Sequence, residues 1–207
     1  MRYIQMNLQE SVELIETFSP QAALLESNST HVREALEQER SCSFPPELKA
    51  YIDTVIPKET IAFQGVGNPI VIRGSSELSW RMEDFNVNPE TNEAINSWND
   101  DWFLIANDGG EPIIVKLDEH NDTSIVYSAM QSEAGWEFCP IADSIGLFLV
   151  CAAALERAMN FPGLEDSLDD DFNLLGDAAK WLFPFLKHYA ASYYEEWASV
   201  FENFEDY

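Results

Sequence analysis

Residues 103 to 130 hold three short apolar runs, FLIAN, PIIVKL and SIVYSAM, separated by DGGE and DEHNDT. No other feature of the chain constrains its fold as much. Each run has strand length and carries β-branched or aromatic residues, and each connector is too short for a crossover helix. Strands joined in this way must run antiparallel, so the segment predicts a meander. Gly109-Gly110 falls in the first turn, where a tight hairpin needs positive φ. A glycine pair can also cradle phosphate, but that requires more glycines, a lysine and a following helix. Here a strand follows, and Asp108 and Glu111 would repel an anion. ETIAFQGV (59–66) and NPIVIRG (68–74) read as further strands ahead of the meander.

The flanks have helical spacing. Ser19-Pro20 fits an N-cap with proline at the first helical position, leading into QAALLES. Thr30 is placed to cap HVREALEQER, with Val32, Ala35 and Leu36 on one side. FPPELKAYIDTVI repeats the proline start, with Leu48, Tyr51, Ile52 and Val55 in register. SSELSWRMEDF (75–85) predicts a short helix capped by Ser75 or Ser76, and NVNPETNEAINSWND (86–100) predicts an exposed loop. After the meander the period changes. Ser144 can cap a helix that buries Leu147, Phe148, Val150, Cys151, Ala154, Leu155 and Ala158 over a wide arc. FPGLEDSLDDDFN, with Asp169-Asp170-Asp171, reads as a linker. The tail beyond it is helical and aromatic, and Pro184 is expected to start or kink a helix there. These pieces give an α+β chain with a central antiparallel sheet and N-terminal helices packed on it. Residues 1–160 form the α+β domain, and 161–207 form a C-terminal helical extension packed on or beside it.

Charge narrows the partners. The 207 residues include 11 Lys+Arg and 37 Asp+Glu, a formal net charge of −26. Such a chain repels nucleic-acid phosphates and anionic lipid and attracts basic proteins. The same acidity also serves solubility. Cys42, Cys139 and Cys151 are an odd number without CxxC spacing, so neither a disulfide framework nor a zinc site is expected. Buried thiols in a reducing cytoplasm fit better. The N-terminal stretch lacks the pattern of a secretory signal, and no apolar run is long enough to span a membrane.

Chemistry-bearing motifs are sparse. His31, His120 and His188 lie in three separate regions, and DEHND lacks EF-hand spacing. Ser144 has no GxSxG context, and Cys139 has no histidine near it in sequence. Adjacent carboxylates such as Asp100 and Asp101 are common among 37 acids. No catalytic set, metal site or cofactor is expected. Of the six tryptophans, Trp98 stands in the polar segment INSWNDDW, where it is either a lid on the core or a contact residue.

The order of elements resembles the SUKH superfamily, which includes the Smi/Knr type of cell-wall-assembly regulator. The matching residues are FPPELKAYI (44–52), Asp101 to Ala106, Asp108 to Ile113, Ile125-Val126-Tyr127, and Ile141 to Ser144 with Phe148-Leu149. The chain departs from the family pattern at Val55-Ile56-Pro57, at Glu111 and in its tail. The resemblance implies binding without catalysis. Bacterial members are mostly immunity proteins that neutralise toxins, and fungal members are scaffolds. The expected partner is a basic protein, a toxin domain, met by Trp98, Asp100 and Asp101 together with the turn acids Asp118 and Asp122. The alternatives are a regulatory scaffold that self-associates as a homodimer through the C-terminal helices, and an unrecognised hydrolase or small-molecule binder.

Overall fold

The computed structural model describes residues 6–19, 29–83, 85–95, 98–119, 121–132 and 135–207. Among the described residues three helices come first, α1 (Leu8–Phe18), α2 (Thr30–Arg40) and α3 (Pro46–Thr54). The strands are β1 (Ile61–Phe63), β2 (Ile70–Ile72), β3 (Trp102–Asp108), β4 (Glu111–Lys116), β5 (Val126–Ser132) and β6 (Gly135–Ala142). Helices α4 (Ile145–Met159), α5 (Gly176–Tyr189) and α6 (Tyr194–Ala198) follow. The six strands make one sheet in sequence order, each neighbouring pair antiparallel. The fold is α+β, as the meander predicts. Gly109 (φ 53°) and Gly110 (φ 101°) form the β3–β4 turn between the paired Asp108 and Glu111. The glycine pair is therefore a hairpin turn.

Alternation along the strands gives the sheet two faces. Phe103, Ile105, Ile113, Val115 and Val126 belong to the larger apolar cluster, shared with the helices. Helix α4 is buried almost all round, because α1 and α5 pack on it as well as the sheet. Its cap is the expected one, with Ser144 Oγ accepting from the Leu147 amide at 3.0 Å. The tail is part of this core. Leu174, Leu182, Phe183, Leu186, Trp197 and Phe201 lie in the same cluster. Phe18 of α1 sits edge-on to Trp181 and Phe185 of α5, with centroids 5.6 and 5.4 Å apart. The opposite sheet face carries a second cluster of Met82, Phe85, Leu104, Ile114 and Tyr127, rimmed by Trp98, Trp102, Trp136 and Phe138.

Several local expectations change. Among the described residues of the 75–85 segment only Ser75–Glu77 is helical, as a single 3-10 turn. Leu78 turns extended, and Trp80, Met82 and Phe85 are then buried. Asn86 holds that path by donating to the Trp80 carbonyl at 2.6 Å and accepting from the Met82 amide at 2.8 Å. The 86–100 loop is exposed at its tip, but Asn86 is buried and Trp98 is half-buried. Gly135–Ala142, just ahead of the Ser144 cap and not among the expected strands, is a full strand paired with β5. Helix α2 has Ser29 rather than Thr30 at its N-cap, and Ala35 is exposed. Ser19 is the C-cap of α1, and the helix expected to follow it over 21–27 lies outside the described residues. The 161–173 segment is not a free spacer. Ser167 is buried, Leu168 bridges Leu174, and Asp169 accepts from the Asp171 and Asn173 amides. Pro184 neither starts nor ends a helix and sits on the exposed side of α5. The carbonyl it leaves without a donor can reach water there.

Candidate partner-binding cleft

The base of the cleft is Trp80. It is 4% exposed, donates its indole N–H to the Leu36 carbonyl at 2.9 Å, and packs edge-on against Phe44 and Phe103. Arg40, in the last turn of α2, lays its guanidinium over this ring, 4.6 Å from the centroid. The same guanidinium donates to Asp100 Oδ1 at 2.8 Å and to the Asp100 carbonyl at 3.5 Å. Arg40 therefore straps α2 to the loop before β3, across the tryptophan.

The strap divides two adjoining clefts. One, of about 530 Å³, is lined by Cys42, Ser43, Asp101, Leu117 and Asp118 beside Arg40, Trp80 and Asp100. The other, of about 270 Å³, is lined by Glu39, Arg81, Asn86, Ile95 and Trp98 beside the same three residues. Short backbone bonds fix the acidic rim. The Leu117 amide donates to the Asp101 carbonyl at 2.8 Å, and the Asp101 amide donates to Asn99 Oδ1 at 3.0 Å. The Asp100 side chain is 90% exposed and that of Arg40 33% exposed. A pair this open contributes at most about 1 kcal/mol and is easily exchanged for another.

Helix α2 is anchored on its other side. Glu37 accepts from Arg33 at 2.6 Å and from the Phe44 amide at 2.7 Å, and Lys49 lies 3.4 Å away. Burial by itself would raise the Glu37 carboxyl. The Phe44 amide, Arg33 and Lys49 outweigh it and hold the group below its ordinary value. Burial and the nearby Glu37 push the Cys42 thiol up, which disfavours a thiolate in the cleft.

The expected residues separate into two groups. Asp100, Asp101 and Asp118 come together around the larger cleft, and Trp98 lines the adjoining one. Trp98 is both a lid and a wall, edge-on to Trp102 at 5.6 Å and 6.4 Å from Phe85. Asp122 does not join them. It borders a separate hollow beside Met6, Leu8, Pro46 and Glu47. His120 of DEHND lies outside the described residues, while His31 and His188 are exposed on α2 and α5. Among the described residues no group of three His, Cys, Asp or Glu is placed to hold a metal ion. No helix among them is long and apolar enough to cross a membrane.

Sequence reasoning missed Arg40 and Trp80. A charged residue in a last helical turn and one tryptophan among six carry no local sign that they stack. It also missed Glu47, whose buried carboxylate accepts from the Ser124 amide at 2.6 Å and the Gly146 amide at 3.4 Å. The available signal was an acid next to Pro46 in an otherwise apolar helix start. Comparison with family models, curated proteins and solved structures gives no match for this chain.

Proposed function

We propose that this chain is a non-catalytic binding protein of the immunity type, which neutralises a basic toxin domain by covering its active site or basic surface. The observation that carries the reading is the acidic double cleft. Asp100, Asp101 and Asp118 stand exposed around an aromatic base, and one cation there, Arg40, is held by an exposed pair. A net charge of −26 steers a basic partner over long range. A lysine or arginine of the partner then competes with Arg40 for Asp100, and Trp98 supplies apolar contact once water leaves.

The test is co-purification of the tagged chain with its partner at low and high salt, repeated with Asp100→Asn, Asp101→Asn, Asp118→Asn and Trp98→Ala combined. Recovery of one stoichiometric basic protein, weakened by salt and lost in the combined variant, supports the reading. Unchanged recovery with a variant that folds normally removes this surface from it.

A further inference from the structure

Strand β6 is the long open edge of the sheet. The other edge, β1, has three residues and lies against α4. β6 has eight and, among the described residues, pairs with β5 alone. Its C-terminal end is closed. The Trp197 indole donates to the Ile141 carbonyl at 2.8 Å, and a register shift opposite Val126 and Tyr127 bends the strand there. The stretch from Trp136 to Cys139 has no such cover. Among the described residues no backbone hydrogen bond from a loop or helix reaches it, and Glu137, Cys139 and Pro140 are exposed. Pro140, opposite Tyr127, has no N–H to give β5, so it takes an outward-facing place in the ladder. By the alternation of an antiparallel pair, the N–H and C=O groups of Phe138 and Trp136 also face outward.

The two sides of this edge differ in chemistry. Phe138 and Trp136 lie on the aromatic face, and the Phe138 ring is 4.5 Å from Trp102 and 6.5 Å from Trp98. On the other side Met130, 63% exposed, stands opposite Glu137. Charge selects the occupant. From Asp118 to Glu156 the sequence has seven Asp or Glu residues and neither Lys nor Arg. A second copy of this chain would bring the same sign of charge to the edge, which disfavours self-pairing.

We propose that the Trp136–Cys139 edge takes an extended basic segment of the partner as a seventh strand. Its side chains alternate between cations beside Glu137 and apolar groups beside Trp136 and Phe138. The inference rests on the binding reading but not on the Arg40–Asp100 cleft, and a separate variant tests each.

The probe is a short end-blocked peptide of alternating Lys and Val, titrated into the full chain and followed by amide hydrogen exchange. Its controls are the same peptide N-methylated on alternate residues and a Glu/Val analogue. The Trp136 and Phe138 amides are expected to exchange rapidly in the free chain and to slow at least about tenfold with the Lys/Val peptide. Both controls, and Glu137→Lys, are expected to weaken binding at least about tenfold, while Asp100→Asn leaves it unchanged. Equal binding of the N-methylated peptide overturns the proposal, as does protection of Trp136 and Phe138 in the free chain. Loss of peptide binding on Asp100→Asn with none on Glu137→Lys also overturns it, and leaves the cleft reading standing.

Discussion

Glu47 offers the sharpest test of how the helices are fixed to the sheet. Its carboxylate, on a residue only 8% exposed, bridges the Ser124 amide ahead of β5 and the Gly146 amide at the start of α4. Glu47→Ala leaves both buried donors without that acceptor, at about 1–3 kcal/mol each. Relief of the desolvated charge offsets part of this, so the expected loss is about 2–4 kcal/mol. Glu47→Gln keeps one acceptor and turns an NH2 toward the other donor, for a loss of about 1–2 kcal/mol. Urea unfolding of the three proteins gives the values, provided their m-values agree. pH supplies a second reading. Burial raises the Glu47 carboxyl above its ordinary value, only partly opposed by the Ser124, Gly146 and Ile145 amides. The folded state therefore holds the proton more tightly than the unfolded chain. Wild type gains stability as pH falls through the folded pKa, and the gain is complete below the unfolded one. Glu47→Gln has no proton to gain there, and other carboxylates cancel in the comparison. The wild-type advantage over Glu47→Gln should widen from neutral pH into the carboxylate range. A Gln variant within about 0.5 kcal/mol of wild type, or an advantage that shrinks in acid, refutes the reasoning.

Three other perturbations test separate parts of the structure. Ser144→Ala removes the acceptor for the Leu147 amide and should cost about 1 kcal/mol by urea unfolding, with Ser144→Gly losing less. A chain ending at 163 should not unfold cooperatively, because it exposes the α4 surface that Ala178, Ala179, Leu182, Phe183 and Leu186 cover; a cooperative thermal transition for that fragment would make the tail dispensable. With a thiol reagent, Cys139 should react first, Cys42 more slowly, and Cys151 only on unfolding, since they are exposed, half-buried and buried respectively.

Most of what the sequence by itself determined is local. Three apolar runs with short turns, and two glycines free to take positive φ, leave an antiparallel meander as the way to pair their backbone groups. Helical spacing and a serine before the Ile145 helix were likewise legible, because capping and periodicity act within a few residues. The missed elements depended on distant partners. GWEFCPIA became a strand because β5 offered its open edge, over a weak local pattern broken by Pro140. Residues 79–82 did not take up the expected helix because Trp80 and Met82 found opposite sheet faces to bury, worth more than a turn of helix propensity. The candidate site divides in the same way. That this chain is acidic, and that its acids crowd the turns, is written in the residues. Only tertiary structure placed Arg40 over Trp80, drew Asp100, Asp101 and Asp118 around them and set Asp122 apart. Those contacts join segments roughly twenty to eighty residues apart, a spacing that no local pattern records.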